Sequence, residues 1–262
     1  MSSIHNYLKS GVEDIIPLLG LLLKKSHAEL ISISNYQLNL EQKKRLEVLI
    51  KQRQKGKPFA YQSGIQGFYH LDFKVTPSVL IPRPETELLI DISLDLFPKK
   101  QAVKLLDLGT GCGIIAITLK DKNPHWSVTA TDFSAAALRV AEQNCQADIS
   151  FQQGDWFAAA EGQTFDLIIS NPPYIPAGDC HLAELTFEPQ NALVSGADGL
   201  KDIKIIINNS HKYLQKSGYL LLEHGQNQRA NIVKLLGKKF HNIQTFKDYN
   251  LQDRAILAQI KN

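Results

Sequence analysis

Cysteine is scarce in this 262-residue chain, and the three that occur, Cys112, Cys145 and Cys180, form no Cys-x-x-Cys pair. That argues against a zinc site and against a disulfide framework, and it suits a reducing, cytoplasmic setting. The eight histidines contain no His-x-x-x-His pair, so no metal is expected. Long apolar runs are missing too: the longest, Ile15 to Leu23, is well short of the ~20 residues that a membrane span needs. The opening Met-Ser-Ser-Ile-His has neither the basic nor the apolar region of a signal peptide. A strong excess of one charge is also lacking. A formal net charge of +3 requires neither a membrane nor a stable nucleic-acid partner, and a cytoplasmic monomer is expected. The little asymmetry there is lies at the front, where residues 1–70 carry ten Lys and Arg against five Asp and Glu. Seven of those ten fall between Lys43 and Lys57, which reads first as one solvated helix face and second as a docking surface.

Hydrophobic content of 44% and charge of 21% are ordinary for a folded globular protein. The first stretch reads as helices and carries no strand signal. Ile15 to Leu23 makes a buried helix, and a second starts at Asn39, where Gln42 completes a capping box. Leu46, Val48, Leu49 and Ile50 form its apolar stripe, and Gly56 with Pro58 ends it. From Gly67 the pattern alternates at period two through Phe68 to Val75, the mark of a strand or hairpin. Pro84 then suits the first position of a helix running from Leu88 to Phe97, with Glu85 and Glu87 at its positive end. The domain reading is a helical unit over 1–66, a β-hairpin linker over 67–84 and an α/β domain over 85–262.

Beyond residue 100 strands alternate with helices, the signature of a mainly parallel sheet covered on both faces. Strands are predicted at Val103–Leu108, Val128–Thr131, Ile149–Gln152, Phe165–Ser170 and Tyr219–Glu223, with a helix over 200–214. Two further strands close the chain at 242–248 and 255–260. The first strand runs into Gly109, Thr110, Gly111, Cys112 and Gly113, a loop whose glycines permit a tight turn and close approach of a ligand. The third glycine of a dinucleotide fingerprint is absent, Ile114 standing in its place, and so is the Lys-Ser/Thr of a phosphate cradle. Asp132 ends the second strand at the spacing of a carboxylate that accepts ribose hydroxyls; the plainer alternative is a helix N-cap. Asp155 and Trp156 follow the third strand and could flank an adenine, or simply end a loop over a buried indole.

Phe165 to Ser170 is a short run rich in branched aliphatics that must stop at Asn171, because Pro172 and Pro173 cannot donate to a sheet ladder. Ligands bind at the carboxyl ends of strands in such sheets. Asn171 supplies an amide, the Asn171 and Pro172 carbonyls are expected to be free, and Tyr174 supplies a flat ring with a polar tip. This set suits a planar group bearing NH2, though a simple turn would use the same residues. A ligand with ribose and adenine but no phosphate points to S-adenosyl-L-methionine.

The residues resemble the release factor glutamine methyltransferases of the PrmC/HemK type, within the class I methyltransferases. The resemblance covers nearly the whole chain. It rests on Leu80-Ile-Pro-Arg-Pro-Glu-Thr-Glu87, Leu106-Asp-Leu-Gly-Thr-Gly-Cys-Gly113, Gly154-Asp-Trp-Phe157, Ser170-Asn-Pro-Pro-Tyr-Ile175, Phe187-Glu-Pro189, Leu221-Leu-Glu-His-Gly225 and Asp253-Arg254. Two departures stand out: Cys112 replaces a more usual Thr, and the segment 178–184 is a few residues short. The resemblance implies a helical N-terminal domain, a hairpin linker and a Rossmann-like, seven-stranded mixed sheet with an antiparallel last strand. It also implies methylation of the glutamine amide in the Gly-Gly-Gln motif of bacterial class I release factors, with S-adenosyl-L-homocysteine as product. Gly109 to Gly113, Asp132, Asp155, Trp156 and Asn171 would hold the cofactor; Asn171, Pro172, Pro173 and Tyr174 would hold the substrate. An exocyclic-amine methyltransferase acting on a nucleic-acid base is the rival reading from the same chemistry. An adaptor built on an inactive nucleotide-binding domain is weaker, since it predicts a spoiled glycine loop or a missing Asn171.

Overall fold

The structure, a computed structural model, describes residues 3–98 and 101–261 and divides after Gly64 into two compact units. The first unit is helical: α1 (Ile4–Leu8), α2 (Ile15–Leu23), α3 (His27–Ser32), α4 (Leu40–Gln54) and α5 (Phe59–Ser63). Ile4, Leu18, Leu19, Leu30, Leu38 and Leu46 are all but fully buried in its core. Asn39 and Gln42 make the expected capping box, each side chain accepting from the other's backbone N–H, at 2.8 and 2.9 Å. The expected stripe on α4 is narrower than the sequence indicated. Only Leu46 is buried, Leu49 and Ile50 are half-buried, and Val48 is exposed. Position 48 lies two residues from 46, which on a helix is most of the way to the opposite face.

The second unit opens with a hairpin, β1 (Ile65–Phe68) and β2 (Leu71–Lys74), turned at Tyr69 with φ of 57°. It begins two residues earlier than the aromatic alternation indicated. Phe68 and Phe73 are buried in the same core as α6 (Glu87–Leu96), which follows a 3-10 turn at Pro84–Thr86. Glu87 ties the two together, its carboxylate accepting from the Tyr69 backbone N–H at 2.7 Å.

Then follow β3 (Lys104–Leu108), α7 (Ile114–Lys122), β4 (Ser127–Asp132), α8 (Ala135–Asn144), β5 (Ser150–Gln153) and β6 (Phe165–Ser170). The chain finishes with α9 (Lys201–Ser210), β7 (Leu214–Glu223), α10 (Arg229–Leu236), β8 (Phe240–Lys247) and β9 (Asp253–Ile260). They build a seven-stranded sheet in the order β5-β4-β3-β6-β7-β9-β8, in which β9 runs antiparallel to both neighbours. Alternate residues of the central strands serve two cores, as a sheet covered on both faces requires. Leu105, Leu167, Ile169 and Leu221 pack with α6 and α7, whereas Leu106, Ile168, Leu220 and Leu222 pack with α9 and α10.

The closing strands each begin two residues earlier than expected, and the two larger boundary differences share one reason. The helix expected over 200–214 ends at Ser210, and β7 starts at Leu214 rather than Tyr219. The register slips between Phe165–Leu214 and Leu167–Tyr219, so the polar stretch Gln215 to Gly218 bulges while still counted in the strand. Among the described residues, no helix is long and apolar enough to cross a membrane.

Candidate active site

The glycine loop joins β3 to α7 in a conformation that side chains resist. Gly109, Gly111 and Gly113 have φ of 73°, 58° and 90°. The N–H groups of Gly109 and Thr110 both donate to the Thr131 carbonyl at 2.9 Å, which pins the loop to β4. Beneath it Asp107 is fully buried, accepting from the Thr110 hydroxyl at 2.6 Å and the Ala116 N–H at 3.3 Å. Burial outweighs those bonds and pushes its carboxyl up to about 7. The Cys112 thiol is buried and pushed up to about 12, so it is inert, while its carbonyl accepts from Asn144 at 2.9 Å. The departure at this position therefore leaves the backbone contact in place.

A cleft of about 300 Å³ opens over the loop at the carboxyl ends of β3, β4 and β6. Gly109, Thr110, Gly111 and Cys112 form its floor, and Asp132 meets them there. The Asp132 carboxylate accepts from the Gly111 N–H at 2.9 Å through one oxygen and from the Ser134 N–H at 2.8 Å through the other. It does not cap α8; the Ser134 hydroxyl does, accepting from Ala137. Burial raises the Asp132 pKa against those two bonds. Asp155, Trp156, Asn171 and Pro173 also line the cleft. The Trp156 ring edge lies 3.7 Å from where a Cβ on Gly109 would sit, ordinary contact distance, so the indole packs over the loop and it is the positive φ of 73° that calls for glycine there. These residues fit an adenosine: a carboxylate for the ribose, an indole for the base, and a floor of backbone that no side chain blocks.

Three expected site residues stand off the cleft wall. Gly113 serves packing, since a Cβ there would lie 2.6 Å from Ile117 and 3.3 Å from Ala141. Pro172 is buried. Tyr174 is turned away: its hydroxyl donates to Glu223 at 3.2 Å, its carbonyl accepts from Gln228 at 3.0 Å, and its ring packs with the α9 and α10 core. Burial, with Glu223 beside it, raises the phenol well above its usual range.

Asn171 has a defined orientation. Its side-chain NH2 donates to the Thr86 hydroxyl at 3.0 Å, and that hydroxyl donates to Glu223 at 2.7 Å. A hydroxyl has one proton, so Thr86, having given it to the carboxylate, can only accept from Asn171. Arg83, on the cleft wall, pairs with buried Glu188, which also accepts from the Ile81 N–H at 3.0 Å. Roles for Thr86, Glu188 and Glu223 did not emerge from the sequence, although all three lie in the motifs quoted above. Phe133 was missed as well: it follows Asp132, lines the cleft, and is 69% exposed.

Comparison with known proteins adds the following. A family model for the methyltransferase small domain matches residues 86–196. A release factor glutamine methyltransferase from Coxiella burnetii is 45% identical over 223 residues, covering 84% of this chain and 80% of the relative. One from Pseudomonas aeruginosa is 43% identical over 226 residues (84% and 82%), and one from Escherichia coli 38% identical over 237 (88% and 85%). Among solved structures, a methyltransferase from Pyrococcus furiosus superposes with a TM-score of 0.57 at 17% identity, covering 80% of this chain and 98% of that one. The Thermus thermophilus 16S rRNA N2 G1207 methyltransferase, in complex with AdoMet and guanosine, gives 0.56 at 18% (75% and 50%). At those identities the structures speak to the fold alone.

Proposed function

The chain belongs to the release factor glutamine methyltransferases, and on that premise we propose that Asn171 is the group that holds the substrate amide in line for methyl transfer. The protein uses S-adenosylmethionine to methylate a glutamine of peptide chain release factors. When bound, that cofactor supplies an electrophilic methyl group on a sulfonium. The Gly109–Cys112 floor, Asp132, Asp155 and Trp156 would hold it, and the Asp132 carboxylate would accept from the ribose hydroxyls.

An amide nitrogen is a weak nucleophile, because its lone pair is delocalised into the carbonyl. Two acceptors take its two protons and aim the nitrogen along the line of displacement: the Asn171 side-chain oxygen on the cleft wall, and the backbone carbonyl of the next residue, Pro172, whose ring is buried off that wall. Such positioning is worth up to ~7–11 kcal/mol of barrier. No strong base is needed; the nitrogen loses its proton after it has accepted the methyl, when it is acidic. The observation that carries this reading is the Thr86 bond, which occupies the NH2 end of Asn171 and leaves its oxygen for the substrate. The target is the glutamine of the Gly-Gly-Gln motif of bacterial class I factors. The chain works in the cytoplasm as a monomer, and its first unit docks the release factor through the exposed basic residues of α4. Cysteine scarcity supports the cytoplasmic setting, and the local excess of Lys and Arg supports the docking role.

The test is methyl incorporation into release factor carrying Gln or Glu at the target position, with wild-type and Asn171→Ala enzyme. The wild type should label only the Gln factor. A site built for such bonds rejects an analogue lacking them by a factor on the order of ten thousand. Asn171→Ala should lower turnover by about 100-fold or more while cofactor affinity changes little. Equal labelling of both factors, or labelling of RNA alone, would overturn the reading.

A further inference from the structure

Behind the cleft, Glu223 joins the two polar residues of the Asn-Pro-Pro-Tyr turn. Its carboxylate is fully buried at the end of β7. One oxygen accepts from Thr86 at 2.7 Å, the other from Tyr174 at 3.2 Å, and Thr86 in turn accepts from Asn171 at 3.0 Å. Thr86 is itself fully buried and comes from the turn before α6, 137 residues away in sequence from Glu223. Every donor in this chain of bonds points toward the carboxylate.

We propose that Glu223 is a positioning residue for methyl transfer: through Thr86 it dictates that the Asn171 amide presents its oxygen, and not its NH2, to the substrate. The inference rests on Asn171 being the substrate's acceptor. An ionised carboxylate only accepts, so Thr86 must donate to it, and Asn171 must donate to Thr86. A protonated Glu223 can donate to Thr86 instead. Thr86 is then free to donate to the Asn171 oxygen, and the amide reverses, aiming two protons at a substrate that itself offers two protons.

The surroundings set when that happens. Arg254 on β9 favours the ionised form, and it is in turn held by Asp248 at 3.0 Å and reaches the His224 carbonyl at 3.4 Å. Glu85, in the turn before α6, favours protonation. Tyr174 donates to the carboxylate, and the neighbouring His224, desolvated by burial, has a pKa below its usual value. Desolvation is the largest influence and pushes the Glu223 carboxyl up to about 7. The competent polarity is thus gained across the neutral range.

The experiment measures kcat and KM for release factor from about pH 5.5 to about pH 8.5, with cofactor affinity as the check on folding. In the wild type kcat should rise through pH near 7. Glu223→Gln, neutral at every pH and able to turn its NH2 as well as its oxygen to Thr86, should show a lowered kcat with that rise abolished. Thr86→Val, which cuts the link and keeps the volume, should do the same. Thr86→Ser, which keeps the hydroxyl, should recover most of the loss together with the rise. KM for release factor and cofactor affinity should move little. A normal kcat in Thr86→Val, or the wild-type rise persisting in either Glu223→Gln or Thr86→Val, would overturn the relay. Asn171→Ala, run alongside, separates the two readings. If it collapses activity while Thr86→Val behaves as wild type, the relay alone is wrong; if it leaves kcat intact, the acceptor role falls and the relay with it.

Discussion

Asp132 does two jobs with one carboxylate. It holds the backbone of the glycine loop through Gly111 and the start of α8 through Ser134, and its remaining acceptor capacity faces the cleft. Asp132→Ala should weaken S-adenosylmethionine binding by about 1.5–3 kcal/mol, the range for hydrogen bonds to a charged group. Calorimetry giving an unchanged affinity would remove the ribose from its duties. The two fully buried acids lead to a prediction about stability. Burial lifts Asp107 from an ordinary 3.8, and Glu223 from 4.5, each to about 7. A raised acid pKa means that the folded state binds the proton more tightly than the unfolded chain does. The associated stability is fully present below about pH 4 and is lost as pH rises through about 7. Denaturant melts should therefore show a less stable protein at pH 8 than at pH 5, and Glu223→Gln should flatten part of that slope. An equal slope in the variant would mean that Glu223 does not titrate there. The ionised Glu223 that orients Asn171 is thus held at a cost in stability.

At the scale of elements, the turn after β6 is fixed from behind. Gln228, at the start of α10, donates to the carbonyls of Tyr174 at 3.0 Å and Gly199 at 3.2 Å. Gly199 has φ of 72°, and a Cβ there would fall 2.3 Å from the Tyr174 carbonyl oxygen and 2.6 Å from the Gln228 amide. Neither neighbour can give way without breaking the bridge. Gly199→Ala should cost about 2–4 kcal/mol in thermal or denaturant unfolding, and it should lower turnover because the turn carrying Asn171 and Tyr174 shifts. Wild-type turnover with reduced stability would show that the bridge holds the fold without setting the site.

At the scale of the whole molecule, charge is divided unevenly between the two units, and the structure separates exposed basic residues of the first unit from paired ones. Lys44, Lys51 and, at the C-cap, Lys55 are exposed and recur seven and four residues apart, one stripe of α4 and its cap that also contains exposed Val48. Arg53 differs: it bonds Asp14 at 2.6 Å and Glu13 at 3.1 Å, so it closes the helical unit on itself. Reversing Lys44, Lys51 and Lys55 to Glu should slow association with release factor and weaken its salt dependence, leaving cofactor binding alone. Arg53→Glu should instead destabilise the first unit, as circular dichroism melts would register. An unchanged association rate in the triple variant would move the docking surface elsewhere.

Much of this was determined by local sequence. The alternation of strands and helices dictated the layered α/β unit, because apolar period and length are set residue by residue. Three glycines after a strand, and two prolines after another, fixed where chain turns must open and therefore where the cleft lies. The capping box at Asn39 and the aromatic alternation before Val75 were equally plain, because each depends on neighbours within a few positions. What local sequence could not decide is everything that requires two distant segments to meet. Val48 looked apolar and lies in solvent, and Tyr174 looked like a substrate platform and turns toward Glu223. Arg53 looked like a docking charge and is an internal tie. The polarity of Asn171 is the sharpest case: it depends on a threonine 85 residues earlier, itself bonded to a glutamate 137 residues beyond it. A hydrogen bond's direction is set by whichever partner can only accept, and only the folded sheet brings that partner, Glu223, within reach.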